Sequence, residues 1–436
     1  MSSNVSSGMP VAEVLTAVIG SPRLHVSAYD GSTSGPVDAP IRVAVRSEMA
    51  LRYLVASPGE LGLARAYVTG EIDFEGDLYT GLRAIAERPS LGGLSLPEKV
   101  QLLRSLGPGV LIPAPIPAQE VVAGTRLAKT AAAARKHTRI RDRAAISHHY
   151  DVSNLFYSWV LGPSMAYTCA AYPSADATLE QAQEEKFDLV CRKLGLAPGK
   201  RLLDVGCGWG GMVRHAVKHY GVNALGVTLS RQQAEWGQKS IAEEGFGQNA
   251  EIRWSDYRDV REGGFDAVSS IGLTEHIGRS QLVPYVRFLH TRLRDGGRLL
   301  NHCIMRPTTT EPVITRRGFI NRYVFPDGEL LGLGTIVSAI SNNGFEVRHE
   351  ENLREHYART LAAWGENLEA HWDEAVAEVG LATARVWRLY MAGSRLGFER
   401  NDLQLHQVLA VKTPRGGDVD FPLRAEFARS PSNLPG

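Results

Sequence analysis

A glycine-rich stretch near the middle of the chain restricts the fold more than any other feature. Residues 201–205 form an apolar run that predicts a short buried strand, and a helical pattern covers 212–220. Between them lie Gly206, Gly208 and Gly211. A strand, a glycine turn and a helix form the first unit of a doubly wound α/β sheet, whose ligand lies at the carboxyl ends of the strands. Glycine lets the backbone turn tightly and approach that ligand.

The residues around this turn favour one class of ligand. The three glycines also satisfy the dinucleotide pattern G-x-G-x-x-G. However, Asp204 precedes the first glycine and would repel a pyrophosphate, whereas it suits a cofactor that carries an ammonium or a sulfonium. A dinucleotide site also expects an acid about 20 residues further on, but the second predicted strand, 224–228, is followed by Leu-Ser. S-adenosylmethionine (SAM) is therefore favoured, with a dinucleotide and a ligand-free structural turn as the alternatives.

Composition and charge limit the functions that this chain can have. Its 436 residues suffice for two domains, and a formal net charge of +1 gives no general case for nucleic acid. The four cysteines show neither C-x-x-C spacing nor a histidine cluster. This argues against zinc and against a disulfide framework, so no metal site is predicted and a reducing cytoplasm is favoured.

The beginning of the chain and its apolar segments bear on the membrane. Residues 1–7 lack the basic region and apolar core of a signal peptide. No apolar run approaches the ~18 residues that suggest a membrane span. We therefore expect a cytoplasmic protein whose contact with a membrane is peripheral.

The pattern of helices and strands divides the chain into segments. Residues 1–106 predict a small α+β domain without a visible catalytic group, which serves either oligomerisation or the binding of a lipid substrate. A Pro-rich and then basic linker covers 107–147. Residues 148–412 alternate between helix and strand and predict the catalytic domain, with a lid or acyl-channel insertion at about 306–400. The Gly/Pro/Ser-rich tail, 413–436, is predicted to be disordered.

Two segments outside the glycine turn have alternative interpretations. Segment 126–143 carries seven basic residues against the single acid Asp142. It forms either a solvated linker face or a site for anionic lipid headgroups, and no nucleic-acid motif accompanies it. Residues 353–379 predict one long helix, on which an aromatic and aliphatic stripe is either core or the wall of an acyl channel.

Several short motifs, in order and with matching spacing over about 148–412, resemble the cyclopropane fatty acid synthase family, which includes the mycolic acid cyclopropane synthases. These motifs are His149-Tyr150-Asp151, Tyr167-Thr168-Cys169, the stretch from Leu203 to Gly210, Thr228-Leu229-Ser230, Ser270-Ile271-Gly272, Glu275-His276 and His356-Tyr357-Ala358-Arg359-Thr360. The N-terminal region resembles the extra domain of the phospholipid-acting members. The resemblance implies a doubly wound, Rossmann-like class I SAM-dependent methyltransferase domain.

Three further motifs resemble the actinobacterial enzymes that methylate oleoyl phospholipid at carbon 10. They are Gly272-Leu273-Thr274-Glu275-His276, Leu300-Asn301-His302-Cys303 and Phe325-Pro326-Asp327-Gly328-Glu329. The resemblance implies a 10-methylene product, the precursor of tuberculostearic acid, and a partner reductase that saturates it. A cyclopropane closed on the same alkene is the alternative product. Acyl position, headgroup preference and oligomeric state, a homo-oligomer included, stay open.

The same resemblance implies a set of catalytic residues. In the family, a bicarbonate ion is thought to remove a proton from the carbocation left by methyl transfer. Its site here would involve Cys169 and Ile271 through the backbone, and Glu275, His302 and Tyr357 through their side chains. Each side chain also has a structural interpretation: Glu275 as a helix cap, His302 as a satisfied core histidine, Cys169 as a small buried residue and Tyr357 as part of the aromatic stripe.

For SAM, the resemblance implies contacts along the whole cofactor, and Asp204 joins them by the charge argument above. Their predicted places are the methionine end, the glycine turn, the ribose and the adenine: Tyr167 and Thr168; Gly206 and Gly208; Thr228, Leu229 and Gln233; Asp256 and Tyr257. Two other classes of function stay open at this point. One is a non-catalytic lipid-binding protein on a SAM fold, and the other is an NAD-linked oxidoreductase.

Overall fold

We describe the fold from a computed structural model. The structure describes residues 9–19, 23–86, 106–120, 139, 142, 153–310 and 318–427. The chain divides into two compact units. The smaller unit comprises residues 1–122, 316–326 and 372–396, and the larger unit comprises residues 123–315, 327–371 and 397–436.

The larger unit is built on a seven-stranded sheet. Its strands lie in the order β10-β11-β9-β8-β5-β6-β7, where β5 is Arg201–Val205, β6 Asn223–Thr228, β7 Ala250–Trp254, β8 Phe265–Ile271, β9 Leu293–Met305, β10 Glu346–Asn352 and β11 Gln404–Val411. The pairs from β7 to β9 are parallel, and β11 runs antiparallel to both of its neighbours. The carboxyl ends of β5, β6 and β8 therefore meet at one edge, where a doubly wound sheet binds its ligand.

Helices follow the strands of this sheet in alternation. Those of the larger unit are α5 (Asn154–Leu161), α6 (Leu179–Leu194), α7 (Gly211–Tyr220), α8 (Arg231–Glu243), α9 (Thr274–Ile277), α10 (Leu282–Arg292), α12 (Leu333–Ser341) and α13 (Arg354–Ala370). Buried aliphatic side chains from both faces of the sheet form two core clusters. The central strands are consequently apolar on both sides, as strands of a covered parallel sheet are.

Local sequence sets where α6 begins and ends, and α6 leads into β5. Thr178 and Gln181 form a reciprocal capping box at its start. Gly195 ends the helix in the left-handed conformation. The side chains of Lys186 and Lys193 are buried although α6 is a surface-type amphipathic helix. Two lysines on the buried face of a helix are unusual, and both point to polar partners inside the unit.

The smaller unit contains a four-stranded sheet in the order β2-β1-β3-β4. Its elements are α1 (Val11–Ile19), β1 (Leu24–Ala28), β2 (Thr33–Ser34), β3 (Ile41–Val45), α2 (Glu48–Ala56), α3 (Glu60–Val68), β4 (Ile72–Glu75), α4 (Leu78–Ala86), α11 (Phe319–Tyr323), α14 (Trp372–Val379) and, up to residue 396, α15 (Leu381–Glu399). The Arg65 guanidinium donates to the buried Glu120 carboxylate at 2.6 and 2.8 Å. Arg385 donates to the Tyr67 carbonyl at 2.9 Å and to Asp73 at 3.0 Å. Segments distant in sequence therefore complete this unit.

The observed fold agrees with the predicted fold class and differs in three segments. The predicted helix over 353–379 is two helices, α13 and α14, because the chain leaves helical geometry at His371. Residues 316–326 and 372–396, predicted within the catalytic domain, group with the smaller unit. Residues 413–427 of the predicted disordered tail are described, and Arg192 donates to the Phe427 carbonyl at 2.8 Å.

Two further expectations concern parts of the chain that the structure covers only in part. Most of the basic segment 126–143 lies outside the described residues, which include Arg139 and Asp142. Within the described part of the chain, no helix is both long enough and apolar enough to cross a bilayer.

Candidate active site

A cleft opens at the edge where β5, β6 and β8 end, and the glycine turn forms its floor. Gly206 and Gly208 line it and have positive φ angles of 80° and 54°. A β-carbon on Gly208 would lie 4.0 Å from the Gln233 side-chain nitrogen, so the turn is open towards the cleft. Trp209 is 2% exposed and donates from its indole nitrogen to Asn154 at 2.8 Å, which fixes the turn against α5. The backbone is thus free to approach a ligand here.

Two buried ionisable groups line this cleft and interact electrostatically. Asp204 lines the cleft, is 2% exposed and accepts a hydrogen bond from the Ser269 hydroxyl at 2.7 Å. Burial raises the pKa of Asp204 to about 6. Lys186 also lines the cleft, donates to the Thr168 hydroxyl at 3.1 Å, and has a pKa that burial lowers to about 7. A cationic ligand beside Asp204 would favour its ionised form.

Hydrogen-bonding groups converge at the end of β6. The Thr228 hydroxyl donates to the Gln233 amide oxygen at 2.8 Å, which leaves the Gln233 NH2 group directed at the glycine turn. Leu229 and Tyr257 also line the cleft. The Asp256 carboxylate instead accepts hydrogen bonds from the backbone and side chain of Arg258, at 2.7 to 2.9 Å.

A second buried polar group lies beside the cleft, between α9 and β9. Glu275 is 9% exposed, and one of its carboxylate oxygens accepts from the Ile304 amide at 2.8 Å. Burial raises the pKa of Glu275 to about 7. His302, two residues before Ile304, is 1% exposed, and burial lowers its pKa well below the ordinary value. The other Glu275 oxygen, Oε2, and His302 Nε2 are buried and have no hydrogen-bond partner among the described residues.

Cys169 and Tyr357 are brought together by the first turns of α13. The Cys169 sulfur lies 3.7 Å from the Leu353 carbonyl, to which the Tyr357 amide also donates. Next in the chain, the Ala170 amide donates to the Thr360 hydroxyl at 3.1 Å. Burial raises the pKa of the Cys169 thiol well above its ordinary value, so it stays protonated. Cys169 is therefore unsuited to act as a thiolate nucleophile.

Aromatic rings connect the cleft with this buried region. The path starts at Trp209 in the cleft and runs through Tyr157, Tyr167 and Trp364 to Tyr357. The distances between successive ring centroids are 4.8, 5.8, 5.4 and 6.1 Å. Such a wall is apolar and excludes water, and its ring faces attract positive charge.

Most of the residues predicted for the cofactor lie at this one cleft. The predicted residues that line it are Tyr167, Thr168, Asp204, Gly206, Gly208, Thr228, Leu229, Gln233, Tyr257 and Ile271. Asp256 lies next to it, bonded to Arg258. The other predicted catalytic residues, Cys169, Glu275, His302 and Tyr357, are buried rather than cleft-lining.

Sequence patterns did not reveal Lys186, although its ammonium acts electrostatically on Asp204, Cys169 and His302 and thereby links the cleft to the buried groups. The available signal was a lysine among the apolar positions of the segment that forms α6. Gln407, whose amide nitrogen lies 3.1 Å from His302 Nδ1, was missed as well.

Comparison with known proteins agrees with this geometry. The family model for mycolic acid cyclopropane synthetase matches residues 137–408. A protein of Mycobacterium tuberculosis named as a probable fatty acid methyltransferase is 53% identical over 95% of this chain and 96% of its own length. A probable fatty acid methyltransferase of Pseudomonas putida is 45% identical over 67% of this chain and 75% of its own length.

Solved structures support the same assignment. The cyclopropane synthase MmaA2 of Mycobacterium tuberculosis superposes with a TM-score of 0.59 at 32% identity, covering 63% of this chain and 99% of its own. The mycolic acid cyclopropane synthase CmaA1, solved with S-adenosylhomocysteine and CTAB, has the same TM-score and identity and covers 62% of this chain and 98% of its own. The match over most of the chain and the cleft with its buried acid lead to one conclusion. This chain belongs to the mycolic acid cyclopropane synthetase family and is a SAM-dependent methyltransferase.

Proposed function

We propose that this enzyme methylates the cis double bond of an oleoyl chain in a membrane phospholipid and produces a 10-methylene acyl chain. The observation that carries the proposal is the pair of buried atoms Glu275 Oε2 and His302 Nε2, which lack a protein partner in the described structure. Unpaired buried polar atoms are costly to a fold and are frequent at reaction sites. The likeness to a relative named as a probable fatty acid methyltransferase supports the lipid substrate.

The cofactor residues fit SAM by their charge and hydrogen-bonding chemistry. Bound in the cleft, SAM supplies an electrophilic methyl group. The buried Asp204 suits the positive charge of that cofactor, and the Gln233 NH2 group suits the ribose. We keep Asp256 and Tyr257 as the proposed adenine neighbours, with Arg258 holding Asp256 in place.

The apolar surroundings of the site suit chemistry on an alkene. An isolated alkene is a weak nucleophile, so the protein has to hold the double bond in line with the methyl donor. Methylation leaves a carbocation in the acyl chain, which water would trap. The ring path from Trp209 to Tyr357 supports this chemistry, because an aromatic wall excludes water and ring faces attract positive charge.

A bicarbonate ion suits the buried polar groups as the base. It carries one negative charge and takes several hydrogen bonds, and the groups proposed to hold it are the backbones of Cys169 and Ile271 and the side chains of Glu275, His302 and Tyr357. Glu275 fits this role because its raised pKa allows it to share a proton with an anion near neutral pH. His302 fits because its lowered pKa keeps it neutral, so it donates a hydrogen bond without supplying a charge.

The product distinguishes this proposal from a second candidate. Relatives described as cyclopropane synthases favour closure of a three-membered ring on the same alkene. The test is incubation with SAM and dioleoyl phospholipid, followed by proton NMR of the released fatty acid. Vinylidene protons would support the 10-methylene product and a requirement for a partner reductase. Upfield ring protons would identify a cyclopropane instead, and the absence of any methylated lipid would contradict both.

We also propose peripheral contact with anionic lipid through the basic segment 126–143. Arg139, the one basic residue of this segment among those described, is exposed and donates to Asp259 at 2.8 Å. Neutral substitutions of Arg135, Lys136 and Arg141 should weaken sedimentation with vesicles that contain anionic phospholipid, and added salt should mimic the change. Unchanged sedimentation would mean that the segment is a solvated linker.

A further inference from the structure

A row of polar side chains crosses three neighbouring strands beside the proposed site. In the antiparallel pairing of β9 with β11, His302 lies directly opposite Gln407. In the pairing of β11 with β10, Gln407 lies directly opposite Glu351. Residues directly opposite each other project their side chains to the same face of a sheet. Lys193, from α6, reaches the same row and forms an ion pair with Glu351.

The orientation of the Gln407 amide follows from what each neighbour can donate. A lysine ammonium only donates hydrogen bonds, so the Gln407 oxygen has to face it. Lys193 Nζ lies 2.7 Å from Gln407 Oε1. The amide NH2 group therefore faces His302, and Gln407 Nε2 lies 3.1 Å from His302 Nδ1. Because this NH2 group donates, Nδ1 has to accept, and a neutral imidazole then carries its proton on Nε2.

We infer that Lys193 and Gln407 are positioning residues that hold His302 as the Nε2–H tautomer and direct this N–H into the reaction site. The inference depends on the proposed function in one respect, which is the identity of the group that accepts the hydrogen bond from His302 Nε2–H. It has a chemical consequence for the reaction. An imidazole nitrogen that already carries a proton cannot take up another, so His302 donates a hydrogen bond and the base is a different group.

The burial of this row argues against a purely structural role. Lys193 and Gln407 have no exposed surface, and only Glu351 reaches solvent. Replacing a buried polar set with apolar side chains of similar size is often neutral or stabilising. Lys193, Gln407 and His302 occupy positions where apolar side chains would pack. At the inner end of the row, His302 Nε2 has no hydrogen-bond partner in the described structure.

The test reads the tautomer directly and needs no turnover. Histidine-selective 15N labelling and long-range proton–nitrogen correlation NMR distinguish protonated from unprotonated ring nitrogens. The His302 signals are assigned by their loss in His302→Gln. We expect the wild-type enzyme to show an unprotonated Nδ1 and a protonated Nε2. A wild-type His302 with its proton on Nδ1, or with both nitrogens protonated at neutral pH, would overturn the inference.

Two variants extend the test. In Gln407→Glu the carboxylate accepts from the ring, so Nδ1 should become protonated and kcat should fall about 10- to 100-fold with little change in the Kd for SAM. In Gln407→Met neither nitrogen is specified, and both tautomers should appear. An unchanged tautomer in both variants would contradict the assignment.

A matched control lies on the same strand. Gln404 lies 2.9 Å from the ring of His406, away from the cleft, and Gln404→Met should alter neither the His302 signals nor kcat. Because the NMR readout is independent of substrate, a protein with the expected tautomer but without lipid methylation would refute the proposed function and leave this inference standing.

Discussion

The ionisable residues of the site are buried, and this burial sets their chemistry. Asp204, Glu275, His302 and Lys186 each have a pKa displaced by desolvation towards the neutral form. Burying such a group lowers the free energy of unfolding at pH values where the group is charged in the unfolded chain. Groups with displaced pKa values cluster where a protein carries out a reaction. Lys186 acts on both the cleft and His302, so the charge state of one region influences the other.

Asp204→Asn should weaken SAM binding without unfolding the protein. An asparagine oxygen can still accept from Ser269, which lies 2.7 Å from the carboxylate, but the negative charge is lost. A hydrogen bond to a charged group contributes ~1.5–3 kcal/mol, so the Kd for SAM should rise about 10- to 100-fold. Calorimetric titration would measure it. Asp295→Asn, at an exposed carboxylate of the opposite sheet edge, should bind SAM normally, and equal Kd values for the two variants would contradict the assignment.

Glu275→Gln should change how stability depends on pH. The pKa of Glu275 rises from an ordinary 4.5 to about 7 in the folded enzyme. Between these values the native state binds more protons than the unfolded state, so wild-type stability falls as pH rises, by about 3 kcal/mol in total. Glu275→Gln has no carboxyl group to deprotonate here, so its stability does not fall for this reason as pH rises. Denaturant titrations at about pH 5 and about pH 8 should therefore show a stability gain in the variant that is larger at the higher pH.

The control for this measurement is an exposed glutamate. Glu235 is 63% exposed, and Glu235→Gln should follow the wild-type pH profile. Turnover is the second readout, because Glu275→Gln should lower kcat while Glu235→Gln should not. Parallel stability profiles for wild type and Glu275→Gln, or normal turnover in Glu275→Gln, would argue against the proposed role.

At the scale of single elements, periodicity located the strands and helices around the glycine turn. β5 has the predicted bounds, and the predicted helix 212–220 and strand 224–228 agree with α7 and β6 to within one residue. Hydrophobic periodicity measures burial along a helix, but a local change of backbone angles leaves it intact. For that reason the break at His371, where φ is −115° and ψ is 30°, was not predicted.

Thr360→Val should loosen the link between residues 169–172 and α13. The buried Thr360 hydroxyl accepts from the Ala170 amide at 3.1 Å and donates to the His356 carbonyl at 2.7 Å. Valine has the same shape but no hydroxyl, so the Ala170 amide loses its partner, at a cost of ~1–3 kcal/mol. Thermal unfolding would measure the loss.

A second readout of Thr360→Val tests the site itself. If Cys169 and Tyr357 are held together by this hydroxyl, kcat should fall along with stability. Thr291→Val, at a hydroxyl on the exposed end of α10, should change neither quantity. A stable Thr360→Val enzyme with normal kcat would show that the site does not depend on this hydrogen bond.

At the scale of the whole molecule, the site depends on contacts between distant parts of the chain. Gln407 is 105 residues from His302 and 214 residues from Lys193 in sequence. Such contacts follow from strand order and register, and a single sequence specifies neither directly. The glycine turn could be predicted because its residues are adjacent in the chain. The polar row behind His302 could not, since it exists only once β11 pairs with β9.

A fragment of residues 1–122 should be less stable than the smaller unit within the complete chain. The unit also contains residues 316–326 and 372–396. Without them the Phe319 amide no longer donates to Glu60, and Arg385 no longer binds the Tyr67 carbonyl and Asp73. Circular dichroism and denaturant titration of the fragment should show an unfolded or weakly folded chain. A cooperative transition as stable as that of the complete protein would contradict the division.

The interleaving of the two units also has a consequence during synthesis. Residues 1–122 are synthesised before the other two segments of their unit, which is complete only at residue 396, roughly 270 residues later. At ~5–20 residues per second this interval lasts roughly 15 to 55 s. During that time Glu60, the Tyr67 carbonyl and Asp73 lack the hydrogen bonds that they accept from Phe319 and Arg385 in the folded protein. The smaller unit, although its first segment precedes the larger unit in the chain, is therefore completed only after residue 396 has been synthesised.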